Sequence, residues 1–153
     1  MDTGSHWLRP LRVVLGEVDE VVAVTGRIWP EMDGESMVRA LIRHRSGITS
    51  SLDVMLARGA VSHQPHFQFI GTKGELIVTV AGEVLLFDGR DRDGTVVGRG
   101  NYMHSYRGVW VDFEAAVLDG RALAADAAFS LGELRTALAI EASAASRTWE
   151  PVW

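Results

Sequence analysis

The sequence predicts an α+β protein with a mostly antiparallel, open β-sheet and helices packed on one of its faces. Apolar residues recur with the period of a helix at the start of the chain and again in its last third. Between these regions lie alternating or valine-rich segments joined by short turns, which can connect only antiparallel neighbours. Helices at both ends of the sequence should then cover one face of the sheet. We expect residues 1–153 to form a single domain of this kind.

The composition excludes several classes of function. The chain has 153 residues, of which 47% are hydrophobic, and its net charge of −5 disfavours binding to nucleic acid or an acidic membrane surface. Cysteine is absent, which excludes disulfides and thiolate metal sites. No apolar run approaches a membrane span, and the start has no signal-peptide pattern. A cytoplasmic protein is therefore expected.

The first helix is predicted from a regular apolar face, and Gly16 should end it because glycine tolerates a left-handed conformation. The apolar positions are Trp7, Leu8, Leu11, Val14 and Leu15. Proline has no N–H and fits best in a first turn, so Pro10 places the helix cap between His6 and Arg9. His6 would then lie at the mouth of the helix, where its side chain can face a ligand.

Seven strands are predicted, over residues 18–28, 37–44, 48–56, 67–70, 75–80, 84–87 and 95–97. The turn between the second and third can be chosen by register. A two-residue Ser46-Gly47 loop would place apolar residues opposite polar ones. A three-residue loop over residues 45–47 pairs Ala40 with Leu52 and sets Arg39 opposite Asp53, and we choose it.

The last third predicts two helices. One ends at Gly120 and carries an apolar face that includes Tyr106, Val109, Trp110 and Phe113. The other begins with Ser130 and Glu133, whose spacing matches a capping box, and runs to about Thr148. Its buried face is expected to contain Leu131, Leu134, Leu138, Ala142 and Ala145.

Few residues outside the first helix suggest chemistry. Tyr102, His104 and Tyr106 cluster before a helix, where they could line a pocket or simply pack on the core. His63 and His66 lack a third ligand, so no metal site is expected. The glycine-flanked Lys73 lies between two predicted strands and indicates a hairpin turn. No Gly-x-Gly-x-x-Gly motif occurs, so we expect no cofactor to bind this chain alone.

The segment from Gly4 through His6 to Arg9, followed by Leu15-Gly16-Glu17 and a valine-rich strand, resembles a family landmark. It is similar to the Gly-x-His-x-x-Asp segment that opens the second domain of the Gfo/Idh/MocA oxidoreductases. Three later segments, residues 69–76, 105–120 and 130–152, resemble that family's hairpin, penultimate helix, and closing helix with its last short strand. The resemblance thus covers nearly the whole chain.

The resemblance implies the substrate-binding and oligomerisation domain of an NAD(P)-dependent oxidoreductase acting on a sugar, polyol or hydroxy acid. It assigns His6 to contact the substrate hydroxyl and assist proton transfer. The family's aspartate falls on Arg9, which could instead bind an anionic substrate group. With Tyr102, His104 and Tyr106, these residues form the candidate site. The resemblance further implies a homodimer through the sheet face left open by the helices.

Two family features have no counterpart in the sequence. These are the N-terminal Rossmann domain that binds NAD or NADP and the Glu-Lys-Pro motif with its catalytic lysine, since Lys73 is the only lysine. Whether the chain is an enzyme therefore stays open at this point. The alternatives are a domain that needs a separate nucleotide-binding domain, a stand-alone ligand-binding or assembly module without chemistry, and a truncated fragment.

Overall fold

The structure, a computed structural model, describes residues 2–56, 66–90 and 92–153. The helices are α1 (Asp2–Leu15), α2 (Tyr102–Asp119) and α3 (Ala127–Ser146). The strands are β1 (Val18–Gly26), β2 (Met37–His44), β3 (Thr49–Met55), β4 (Phe67–Gly71), β5 (Gly74–Val78), β6 (Glu83–Phe87), β7 (Thr95–Arg99) and β8 (Glu150–Pro151). Every strand pair is antiparallel, and the strands form two sheets. The α+β class is confirmed.

The chain divides into two compact units. The first comprises Met1–Ala60 and Ala125–Trp153, and its sheet has the order β3-β2-β1-β8. The second comprises Val61–Ala124, and its sheet is the meander β4-β5-β6-β7. The expectation that residues 1–153 form one domain stays a prediction.

The register predicted for the β2–β3 hairpin is confirmed. Ala40 pairs with Leu52, and Arg39 pairs with Asp53. The Arg39 Nε lies 3.1 Å from the Asp53 Oδ2, so the cross-strand charge pair is formed. Gly47 has a φ of 83°, the left-handed conformation that a glycine in this turn supplies without strain.

One face of the first sheet forms the core of its unit. Val21 of β1 and Ile42 of β2 are fully buried there, as are Leu8 of α1 and Ile140 of α3. The six residues predicted for the opposite face are all exposed, which confirms that the helices cover one side only. They are Arg39, Leu41, Arg43, Ser51, Asp53 and Met55.

Two buried polar side chains join the helices to this sheet. Ser143 of α3 accepts a hydrogen bond from the Ala23 N–H at 2.9 Å and donates to the Thr148 carbonyl at 2.6 Å. The Nδ1 of His44 lies 2.8 Å from the Gly16 carbonyl, and its Nε2 lies 2.9 Å from the Ser50 hydroxyl. A carbonyl can only accept, so the Nδ1 of His44 carries the proton.

The predicted start of α1 is wrong. The helix begins at Asp2, so His6 lies in its second turn and Pro10 lies inside it. The absent N–H of Pro10 removes one helix hydrogen bond. Leu8 before the proline and Leu11 after it are both buried, so both parts of the helix contribute to the core. Gly16 follows the helix with a φ of 89°, as predicted.

The predicted cap and buried face of α3 are also wrong. The cap is Asp126, whose Oδ1 accepts from the Phe129 N–H at 2.8 Å, while Ser130 lies within the helix. The buried residues are Thr136, Ala137, Ala139, Ile140 and Ser143. Leu134 is 54% exposed, because small side chains allow α3 to approach β1 closely and its leucines face elsewhere.

In the second unit, the predicted hairpin at Gly71–Gly74 is confirmed by pairing of these two glycines. Helix α2 ends, as predicted, at Gly120, whose φ is 67°. Its apolar face is exposed rather than buried, with Trp110 at 68% and Phe113 at 51%.

His63 lies outside the described residues. Among those described, no helix is long and apolar enough to cross a membrane.

Candidate active site on the first helix

His6 projects from α1 and is exposed. The same helix buries Leu8 and Leu11 completely or nearly so, which holds α1 against the core while His6 faces outward.

Arg9 forms a two-point ion pair with Glu133 of α3. Its Nε donates to the Glu133 Oε1 at 2.6 Å and one Nη donates to the Oε2 at 3.2 Å. The same Nη lies 3.4 Å from the Ser130 hydroxyl. Ser130 and Glu133, which the sequence suggested as a helix cap, therefore bind the Arg9 side chain instead. Charge-assisted, bidentate hydrogen bonds of this kind are the stronger class.

Arg12, one turn further along α1, is 3% exposed. Two of its nitrogens donate to the Glu17 carboxylate at 2.7 to 3.0 Å, and its Nη1 donates to the Phe129 carbonyl at 2.7 Å. Its guanidinium carbon lies 4.1 Å from the centre of the Phe129 ring. The buried guanidinium of Arg12 is thus paired with a carboxylate, and its contacts with Phe129 attach α1 to α3.

A groove of about 360 Å³ runs beside α3 and reaches the first turns of α1 at Ser5. Its polar lining consists of two serines and two glutamates, Ser5, Ser130, Glu133 and Glu141. Leu134, Ala137 and Leu138 supply the apolar part. The groove therefore offers hydroxyls and carboxylates next to an apolar surface, the combination that suits a small molecule rich in hydroxyl groups. Glu133 was predicted only as part of a helix cap and Glu141 was not predicted at all, because the face of α3 expected to be buried is the wrong one.

Tyr102, His104 and Tyr106 all lie on α2, in the second unit. Residues 104 and 106 are two positions apart in the helix and therefore project from different faces. His104 and Tyr106 are exposed, and the His104 N–H donates to the Asn101 side chain at 2.9 Å, which caps α2. The union of these residues with His6 and Arg9 in one site stays a prediction.

Within the described residues, the glycine-containing loop before α2 does not fit the phosphates of a dinucleotide. Gly98 and Gly100 precede α2, but Met103 stands where the third glycine of the motif would fall. In the first turn of α2, the His104 N–H donates to the Asn101 side chain. Across the described parts of the chain, no group of three histidines, cysteines or acidic residues could hold a metal ion.

Comparison with known proteins supports one family. Residues 1–77 match the family model for the GFO/IDH/MocA C-terminal domain. A D-apiose dehydrogenase from Rhizobium rhizogenes is 39% identical over 56 residues, which are 37% of this chain and 16% of the relative. The chain thus spans about a sixth of that curated relative.

Solved structures of oxidoreductases share the fold. A levoglucosan dehydrogenase in complex with NADH has a TM-score of 0.83 at 22% identity, over 99% of this chain and 49% of its own. An oxidoreductase from Agrobacterium radiobacter, in complex with NAD+, L-tartaric acid and magnesium, has a TM-score of 0.80 at 21% identity, over 97% of this chain and 47% of its own. With over half of its residues matched by the family model, the chain belongs to the GFO/IDH/MocA oxidoreductase family and corresponds to its C-terminal domain.

Proposed function

We propose that residues 1–153 are the substrate-binding and oligomerisation part of an NAD(P)-dependent oxidoreductase that acts on sugars or polyols. The observation that carries the proposal is the exposed His6 on α1, within the segment that matches the family. In this proposal His6 contacts the reacting hydroxyl and assists its deprotonation. We also propose Arg9, Tyr102, His104 and Tyr106 as substrate-binding residues.

The groove beside Ser5 favours an uncharged substrate rich in hydroxyl groups. Its carboxylates, Glu133 and Glu141, accept hydrogen bonds from sugar hydroxyls and repel anions. Arg9 donates to Glu133, so an anionic substituent on the substrate would compete with that carboxylate. The neighbouring structures are consistent with either class, since one levoglucosan dehydrogenase structure contains levoglucosan and the Agrobacterium protein contains L-tartaric acid.

The nicotinamide cofactor, NAD or NADP, would be held by a nucleotide-binding domain and not by these residues. When bound, the cofactor supplies the hydride acceptor for oxidation of the substrate alcohol. The contribution of this chain is to bind and orient the substrate and to take the hydroxyl proton at His6. A cytoplasmic location stays a prediction.

We further propose a homodimer formed through the open face of the first sheet. A shallow depression of about 340 Å³ crosses this face and is lined by Val22, Val24 and Leu41 among others. Val24 is 58% exposed and Leu41 is 50% exposed, between ion pairs of Arg39 with Asp53 and of Arg43 with Glu20. Such a face can meet a second copy of itself around a two-fold axis. Leu41→Asp should then produce monomers in sedimentation, whereas Leu76→Asp, on an exposed leucine of the second sheet, should not.

The substrate site is tested by NMR titration of the chain with levoglucosan, L-sorbose and L-tartaric acid. We expect a sugar to shift the resonances of Ser5 and His6, and His6→Ala to weaken that binding, while His66→Ala leaves it unchanged. In an assay that includes a nucleotide-binding domain, His6→Ala should lower kcat by about 10²–10⁴-fold, the usual contribution of a general base. Equal activity of the His6→Ala variant and the wild type would refute the role of His6.

A further inference from the structure

Helix α1 lacks one backbone hydrogen bond, at Pro10, between Arg9 and Arg12. Pro10 lacks the N–H that would bond to the carbonyl of His6, so one rung of the helix is missing there. The turns before the proline, which carry His6, are therefore tied less firmly to the rest of α1. Leu8 anchors them in the core, but apolar contact is not directional and does not fix the rotation of the helix.

Each side of Pro10 has its own polar attachment to α3. On the side of His6, Arg9 donates two hydrogen bonds to Glu133 and a longer one to Ser130. After the proline, Arg12 donates to the Phe129 carbonyl and stacks on its ring. The Nη1 of Arg12 is 3.9 Å from Glu133, so its main carboxylate partner is Glu17. Glu133 thus acts chiefly on the part of α1 that carries His6.

We infer that Glu133 is a positioning residue for His6, acting through Arg9 to hold the first turns of α1 in place across the gap left by Pro10. The Glu133 side chain is 16% exposed and that of Arg9 is 43% exposed, so solvent screens the pair from the Arg9 side only. This inference rests on the proposed function in one respect, namely that His6 contacts the substrate. The attachment itself is a property of the first unit and can be measured without a substrate.

Amide hydrogen exchange tests the attachment. In Glu133→Gln, we expect the amides of residues 6–9 to exchange about tenfold to a hundredfold faster, as for loss of one charge-assisted hydrogen bond. The amides of residues 11–15, held by Arg12, should keep their rates. Glu141→Gln, the same change about two turns further along α3, is the matched control and should leave both groups unchanged.

Restoring the missing N–H gives the decisive comparison. Adding Pro10→Ala to Glu133→Gln should return the exchange of residues 6–9 toward the wild-type rate, because the N–H of residue 10 can then bond to the carbonyl of His6. The imidazole resonances of His6 should shift in Glu133→Gln and return in the double variant, while those of the buried His44 stay in place. A destabilisation that was merely global would move both histidines.

Three results would overturn the inference. They are no change in exchange at residues 6–9, an equal increase over residues 6–9 and 11–15, and no recovery when Pro10→Ala is added. Failure of the proposed function looks different. Sugar titration would then leave Ser5 and His6 unshifted in the wild type, whatever the exchange data show.

Discussion

The guanidinium of Arg12 lies where a side chain on Gly132 would have to be. A Cβ added to Gly132 would approach the Cζ of Arg12 to 2.8 Å, closer than such atoms normally come. Glycine in the middle of α3 is unfavourable for the helix by itself. Its presence is explained by the buried arginine of α1, which occupies the space above it.

Gly132→Ala should therefore destabilise the first unit by about 1–3 kcal/mol, the cost typical of overpacking, despite the better helix propensity of alanine. The clash cannot be relieved cheaply because Glu17 and the Phe129 carbonyl hold the guanidinium. In an Arg12→Met background the sign should reverse, and alanine should stabilise by about 0.5–1 kcal/mol. Denaturant melts of the four proteins in this cycle measure the coupling. Additive effects would show that the two residues do not compete for space.

Ser143→Ala should destabilise the first unit by about 1–3 kcal/mol, the penalty for a buried donor left without a partner. The donor is the Ala23 N–H, and the Thr148 carbonyl loses its bond as well. Ser146→Ala is the matched control on the same helix. Ser146 is exposed, so its loss should change the free energy of unfolding by less than about 0.5 kcal/mol. Chemical denaturation of both variants checks the difference.

The cap of α3 can be tested with two single substitutions. Asp126→Ala removes the acceptor of the Phe129 N–H and should cost about 1 kcal/mol, as for other helix caps. Ser130→Ala should cost less, because Ser130 lies inside the helix and makes only a long contact with Arg9. A larger loss for Ser130→Ala in thermal or urea melts would restore the capping box suggested by the sequence.

The orientation of α3 is tested by truncating one residue on each face. Ile140 is fully buried, so Ile140→Ala should cost about 2–5 kcal/mol through lost packing and the cavity left behind. Leu134 is 54% exposed, and Leu134→Ala should cost less than about 1 kcal/mol. Urea melts compare the two, and equal losses would mean that both faces of α3 are buried in solution.

The sequence by itself determined much of the local structure, but not the start of α1 or the cap of α3. Strand positions, the β2–β3 register and the helix ends at Gly16 and Gly120 follow from alternation and from glycines with positive φ. These features depend on neighbours along the chain or across one tight turn. For the same reason, the segment around His6 could be singled out from its residues and their spacing.

Only the tertiary structure decided which face of α3 is buried and what Arg9 contacts. The leucines of α3 form the more apolar face, yet Thr136, Ala139 and Ser143 are buried because small side chains fit the short distance to β1. Similarly, nothing near Arg9 in the sequence reveals Glu133, which lies 124 residues away. Shape and charge complementarity between distant segments exist only after folding, so spacing along the chain cannot reveal them.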